Sequence, residues 1–364
     1  MVYRSIGLMS GSSLDGLDIV FAEFHENAGK WTYEMIKADC YSYNAGWSER
    51  LKKAITLSAL DYQLLHTDYG HYLGEQVNEF IEKNQIHFQV ALIASHGHTT
   101  FHVPSRKMTA QLGDGAAIAA ETKLPVVSDL RALDIAFGGQ GAPIVPIGEK
   151  LLLNEYDLLL NLGGIANISF NKEPYIAFDV CPANRVLNML ANEAGKDFDE
   201  NGQLAESGSV NNELLNKLND LEYYKKPYPK SLANDFGTDV VYPLIQDSGC
   251  RTQDALRTFV EHIIIEIKNA IKTSTIHHPT SNIQLLSTGG GSHNRFLVNR
   301  LKAALKELNI EVIVPDAKLV NFKEALIMAF IGVLRWRQEY NVLSSVTGSV
   351  RDSIGGALWT GQEA

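Results

Sequence analysis

Five short glycine blocks punctuate the chain, and most of them follow an apolar run. Gly11 and Gly16 bracket SGSSLDG after SIGLM (5–9), Gly163 and Gly164 open GGIANIS after YDLLLNL (156–162), and Gly289, Gly290 and Gly291 follow IQLLST (283–288). The other two blocks are 138–141 and 355–356. Successive backbone N–H groups in a glycine turn form a nest that holds anions, and hydroxyl neighbours add donors. The first two turns therefore suit phosphate, one near the start of each half. Neither is a GxxxxGK[ST] loop nor a GxGxxG fingerprint, the two commonest nucleotide loops. The first also reads as a plain hairpin turn, because Asp-Gly is a strong turn dipeptide.

Asp179 follows the apolar run 175–178. A carboxylate there can cap a helix that starts at Asn184. His96, His98 and His102 have a spacing known among metal ligands. Cys40, Cys181 and Cys250 are far apart and form no C-x-x-C pair, so neither zinc nor a disulfide framework is expected. No Cys–His arrangement accompanies Cys181, which reads as packing.

These turns need strands to end on them and helices to carry the chain away. Segments 3–9, 17–23 and 31–39 read as strands, as do 88–95, 125–129 and 312–314. Helices are predicted over 48–58, 62–84, 114–122, 184–193, 210–220, 256–275, 296–308 and 322–340. In 62–84 the predicted face is Leu64, Leu65, Tyr69, Leu73, Val77, Phe80 and Ile81. Strands alternating with helices, with glycine turns at strand ends, predict an α/β protein whose ligands sit at the carboxyl edges of its sheets. No repeat period is visible.

The chain has 364 residues, 45% hydrophobic and 20% charged, enough for one large or two medium domains with a large core. Its net charge of −10 argues against a general nucleic-acid binder, which needs clustered Lys and Arg. No run of about 18 apolar residues predicts a membrane span. The short apolar start does not read as a signal peptide, and a cytoplasmic location is expected.

Nine motifs occur in order: MSGSSLDGLD (9–18), SHGHTTFH (95–102), VVSDLRALDIAFGGQGAPIVP (126–146), LLNLGGIANIS (159–169), FDVCPAN (178–184), PKS (229–231), STGGGSHN (287–294), KEAL (323–326) and SVTG (345–348). Together they resemble, nearly end to end, the anhydro-N-acetylmuramic acid kinases of the sugar kinase and actin ATPase superfamily. The resemblance implies a two-lobed, actin-like ATPase (ribonuclease-H-like) α/β fold with a cleft between lobes. It implies residues 1–140 as the N-terminal lobe and 141–364 as the C-terminal lobe, with the C-terminal helix able to return to the first.

The implied reaction uses ATP and Mg²⁺. Water opens the bridge of 1,6-anhydro-N-acetylmuramic acid and the 6-oxygen is phosphorylated, a step of cell-wall recycling. The implied roles follow the motifs. Gly11, Ser12, Ser13, Leu14, Asp15, Gly16 and Asp18 cradle phosphate, with Asp15 near the metal through water. Gly163, Gly164 and Asn167 form the second phosphate turn, and Gly289, Gly290 and Gly291 lie under the adenine. Asp179 is the general base. Thr99, Arg131, Asn184 and Glu324 bind sugar, Arg131 through a carboxylate. By residue alone, Arg131 could pair with Asp129 or Asp134, and Glu324 could favour a helix N-terminus. Val180, Cys181, Pro182 and Ala183 stand where the family has Thr-Gly-Pro-Gly, so a differently shaped sugar pocket is expected. Two alternatives stand beside this reading: a kinase for another amino sugar, and a non-catalytic nucleotide-binding module of the actin type. The partner is a small-molecule amino sugar, with no nucleic acid or membrane, and homodimerisation is left open.

Overall fold

The structure, a computed structural model, describes residues 1–11, 14, 16–228, 230–233, 235–273 and 282–361. The chain divides into two compact units, Met1–Asn154 with Phe322–Ala364, and Glu155–Asn321. The first division falls later than the expected boundary at 140. The helix Pro146–Leu152 packs within the first unit: Glu149 pairs with Lys323 at 2.6 Å, and Gly148 lies against Ile327.

In the first unit, β1 (Val2–Ser10), β2 (Gly16–Asn27) and β3 (Lys30–Ser42) form an antiparallel meander. β4 (Leu92–Ser95) lies parallel to β1, and β7 (Val126–Ser128) parallel to β4. Between them β5 (His98–Val103) and β6 (Met108–Leu112) form a separate hairpin, which the sequence pattern did not reveal. One face of the sheet carries the helix Ala59–Asn84. Its buried stripe is Leu65, Tyr69, Leu73, Val77 and Phe80, while Leu64 is exposed. Ser58 caps its start by accepting the Asp61 N–H. The helix Ala317–Trp336 approaches β1 closely: a Cβ on Gly7 would lie 1.9 Å from the Ala325 carbonyl oxygen.

In the second unit, β8 (Leu158–Leu162), β9 (Ile165–Phe170) and β10 (Ile176–Pro182) form the meander. β11 (Ile283–Thr288) is parallel to β8, and β12 (Ile310–Ile313) parallel to β11. The helix Thr252–Thr273 buries Phe259, Ile263 and Ile267 in the core beneath. It starts earlier than expected, and residues 274 and 275 lie outside the described ones.

The two sheets thus share one strand order, β3-β2-β1-β4-β7 and β10-β9-β8-β11-β12, with β13 (Ala357–Trp359) added beside β7. Three antiparallel strands beside two that run parallel to the first is the ribonuclease-H-like arrangement of the actin-like ATPases. The expected α/β class is borne out. No helix among the described residues is long and apolar enough to cross a membrane.

Candidate functional site

In the second unit the site grows from strand register. Asp179 pairs with Asn167, Asn167 with Asn161, and Asn161 with Thr288. Residues paired in register share a face. Four strands therefore carry one polar row, Asp179–Asn167–Asn161–Thr288, about 14 Å long at the usual strand spacing. The Thr288 hydroxyl is buried and has no hydrogen-bond partner among the described residues. Buried polar groups are almost always paired, so such a group marks a place for a ligand or an ordered water. Asn161 and Thr288 were missed by sequence reasoning. Only the cross-strand register of distant segments brings them beside Asp179.

Asp179 is half-buried and sits at a β-bulge, where the register with β9 shifts before Cys181. Bulges re-aim side chains. Its Oδ2 accepts the Leu232 N–H at 2.9 Å, and its own N–H donates to the Lys230 carbonyl at 3.3 Å. The Tyr223 hydroxyl donates to the Asp179 carbonyl at 2.6 Å. Burial raises the carboxyl above its ordinary range, and the Leu232 N–H offsets part of that. It does not cap the helix Asn184–Glu193, whose N-cap residue is Ala183.

The turn between β8 and β9 is held from behind. The Gly163 carbonyl accepts the Asn184 N–H at 3.0 Å, and the Gly164 carbonyl accepts the Ala183 N–H at 2.9 Å. Across a planar trans peptide the N–H opposes the preceding C=O, so the Gly164 N–H faces away from the helix. A Cβ on Gly163, Gly164 or Gly290 would meet nothing closer than 3.5, 3.8 and 3.6 Å respectively. None of the three has a positive φ. Neither a positive φ nor close packing demands glycine there, and glycine leaves the backbone open to close approach. Gly289 and Gly291 differ. A Cβ on Gly289 would lie 2.4 Å from Asn161 Oδ1, and one on Gly291 would lie 2.8 Å from Asn184 Oδ1. Asn184 itself is a strut, its Nδ2 donating to the Leu162 carbonyl at 2.8 Å.

Val180, Cys181, Pro182 and Ala183 are all buried. None has a positive φ, and that of Ala183 is −136°. Val180, Cys181 and Ala183 belong to the hydrophobic core of the unit.

In the first unit the described part of the leading turn shows Gly11, Leu14, Gly16 and Asp18; Ser12, Ser13 and Asp15 lie outside the described residues. Leu14 has a φ of 57°, and its N–H reaches the Gly11 carbonyl at 3.4 Å. Gly16 and Asp18 lie in β2, where a Cβ on Gly16 would press on Cys40 Sγ and the Tyr41 carbonyl, each at 2.8 Å.

Arg131 is fixed by two bonds. Its Nε donates to His96 Nε2 at 2.8 Å, and its Nη1 to the Gly141 carbonyl at 2.6 Å. Burial lowers the guanidinium to about 10, opposed by Glu324 and Asp134. Burial and Arg131 together push His96 down to about 3, so the imidazole is neutral. Arg131 Nε can only donate, so the His96 proton is assigned to Nδ1, which meets the Gly97 carbonyl at 2.8 Å.

Behind Arg131 stands Asp134, fully buried. One carboxylate oxygen accepts the Gly141 N–H and the other the Thr347 hydroxyl, both at 2.7 Å. Asp134 thus orders the GGQG turn and, through Gly141, Arg131. Sequence reasoning had offered it only as an ion-pair partner. Glu324 lies well inside the helix Ala317–Trp336, so the expected start at 322 and the helix-start reading fall together. Thr99 is exposed on β5, within 3.4 Å of Gln111 Nε2. His96, His98 and His102 turn to different partners: Arg131, Ser10 and Thr109. Among the described residues no group of three or more His, Cys, Asp or Glu gathers as metal ligands.

A profile of the anhydro-N-acetylmuramic acid kinase family matches residues 3–361. The anhydro-N-acetylmuramic acid kinase of Aliivibrio fischeri is 35% identical, over 82% of this chain and 83% of that protein. That of Photobacterium profundum is 32% identical over 98% and 99%. A crystal structure of a putative sugar kinase from Cytophaga hutchinsonii aligns over 90% of this chain and 99% of that one, with 14% identity and a TM-score of 0.35. With its motifs in order along almost the whole length, the chain belongs to the anhydro-N-acetylmuramic acid kinase family.

Proposed function

We propose that this chain opens 1,6-anhydro-N-acetylmuramic acid with water and phosphorylates the freed 6-oxygen from ATP, with Asp179 as the general base. The family is one of ATP-using sugar kinases of cell-wall recycling. The observation that carries the assignment is the Asp179 carboxylate. Oδ2 is held by the Leu232 N–H, and among the described residues Oδ1 has no hydrogen-bond partner.

Oδ1 takes a proton from water as the water oxygen bonds to the anomeric carbon. The bond from that carbon to the 6-oxygen breaks, and its electron pair stays on the oxygen. The 6-oxygen then bonds to the γ-phosphorus while the bond to the ADP oxygen breaks, giving N-acetylmuramic acid 6-phosphate and ADP. Such transfer is mostly positioning and charge stabilisation. The Gly163–Gly164 turn and the Asn161–Asn167 carboxamides offer N–H donors to phosphate oxygens. The open glycine at 290 suits the flat base.

Arg131 keeps guanidinium N–H groups beyond those on His96 and Gly141 for the lactyl carboxylate of the sugar. Thr99 and Glu324 serve the sugar hydroxyls. The carboxylate and carboxamide oxygens of the row are donors of the kind Mg²⁺ takes, and the family motif assigns Asp15 a water-mediated role toward the metal. When bound there, the metal would neutralise charge on the phosphates. We place the protein in the cytoplasm, where ATP is available and its three cysteines stay reduced.

The test is direct. Incubation with ATP and 1,6-anhydro-N-acetylmuramic acid is expected to release ADP and a sugar 6-phosphate. No ADP above the ATP-alone background overturns the reading, and release with a different amino sugar replaces the substrate.

A further inference from the structure

A buried chain of hydroxyls ends where the first glycine turn begins. Ser10 closes β1, and its Oγ is buried. The Tyr43 hydroxyl donates to Ser10 Oγ at 2.8 Å. The Tyr43 and Tyr69 hydroxyls are 2.6 Å apart, and Ser10 Oγ lies 3.3 Å from His98 Nδ1. Tyr69 is fully buried, and Tyr43 and His98 nearly so.

Each hydroxyl has one proton, and this fixes the direction of the chain. Tyr43 spends its proton on Ser10, so Tyr69 must donate to Tyr43. Ser10 has then accepted one bond, and its own proton has His98 Nδ1 to go to. The chain runs one way, Tyr69 to Tyr43 to Ser10 to His98. It needs both phenols protonated and the imidazole neutral with its proton on Nε2. Burial favours all three: it raises Tyr43 to about 12, raises Tyr69 further, and lowers His98.

We propose that His98 is a positioning residue for the first glycine turn, acting through Ser10 as the acceptor that terminates this chain. Its neighbours in sequence differ from it: His96 serves Arg131, and Thr99 is exposed. With the acceptor in place, Ser10 Oγ is engaged both as acceptor and as donor, which ties the last residue of β1 to the buried chain just before Gly11. Without it, the Ser10 proton is left buried and unpaired beside the turn.

The proposal rests on the reading of the Gly11–Gly16 turn as a phosphate cradle, and the experiment separates the two. Steady-state kinetics would compare His98→Leu, His98→Gln, Tyr43→Phe and Ser12→Ala, with melting temperatures to confirm folding. The expected result is a rise in KM for ATP of about tenfold in His98→Leu, the equivalent of one hydrogen bond, with kcat little changed. His98→Gln restores an acceptor and is expected near wild type. Tyr43→Phe, which removes a donor further from the turn, is expected to act in the same direction more weakly and covers the case of a misfolded His98→Leu. Wild-type KM in both His98→Leu and Tyr43→Phe, or a His98→Gln as impaired as His98→Leu, overturns the assignment. If Ser12→Ala raises KM while the other variants do not, only the His98 assignment falls. If Ser12→Ala is also silent, the phosphate reading of the turn falls with it.

Discussion

At the same place in the two sheets, after the first strand of each meander, the chain makes a glycine turn, and the glycines answer different demands. In the first unit, Gly16 is pressed by Cys40 and Tyr41, so β3 could not close on β2 over any side chain. In the second unit, a Cβ on Gly163 or Gly164 would make only ordinary van der Waals contacts, and neither residue has a positive φ. One glycine is required by packing, and at the other two neither packing nor a positive φ requires it. Gly16 thus opens a strand that packs over it, whereas Gly163 and Gly164 lie in the turn between two strands.

The chemistry is divided too. The first unit fixes a cation, Arg131, between His96 and Gly141. The second fixes a carboxylate, Asp179, at the end of a neutral polar row. The largest expected effect tests this division. Asp179→Asn is expected to lower kcat by about 10²–10⁴-fold, the usual worth of a general base, while the Kd for ATP stays within a few-fold of wild type. A variant with near-normal turnover removes the base from the second unit.

Next comes Arg131→Gln, expected to raise KM for the sugar by at least about tenfold while KM for ATP stays put, since charge-assisted bonds to a carboxylate contribute about 1.5–3 kcal/mol. An equal rise for both substrates would place Arg131 in general structure rather than in sugar binding.

The glycines give a paired test. Gly16→Ala is expected to cost about 1–3 kcal/mol of stability through overpacking, read as a lower melting temperature. Gly163→Ala is expected to leave the melting temperature alone and raise KM for ATP. A stability loss in Gly163→Ala equal to that in Gly16→Ala would erase the contrast between the turns.

The smallest effect is a pH-dependent one. Burial raises the Asp179 carboxyl, so its ionised form costs stability at neutral pH. As pH falls through the raised folded value, the folded state takes up a proton before the unfolded state does, and that cost is relieved. Asp179→Asn is thus expected to melt slightly above wild type at neutral pH, with the gap closing as the solution is acidified. A gap that widens in acid reverses the sign of the burial argument.

Much of this was legible in the sequence, for local reasons. Helical spacing predicted the buried stripe Leu65, Tyr69, Leu73, Val77 and Phe80, although it also admitted Leu64, which lies over the edge of the stripe. Apolar runs ending in glycine marked the turns, and the ordered motifs gave the family. What could not be read was set by distant partners. Asn161 and Thr288 join Asp179 only through strand register, and Asp134 becomes a strut only because Thr347 arrives to share its carboxylate. The repeated strand order left no sequence period, since the two units share a path of the chain and not a residue pattern. The burial of the 180–183 segment in the core could not be read either, because burial is not written in residue types.

The return of Phe322–Ala364 to the first unit also has a consequence in time. At ribosomal rates of about 5–20 residues per second, the helix that covers Gly7 emerges roughly 10–30 s after the rest of that unit. Through that interval β1 lacks its covering helix and β7 lacks β13, so the nascent chain shows an apolar sheet face and an unpaired strand edge. The second unit, continuous in sequence, can finish folding first, and the half-built first unit is the stage at which a nascent chain most needs a chaperone.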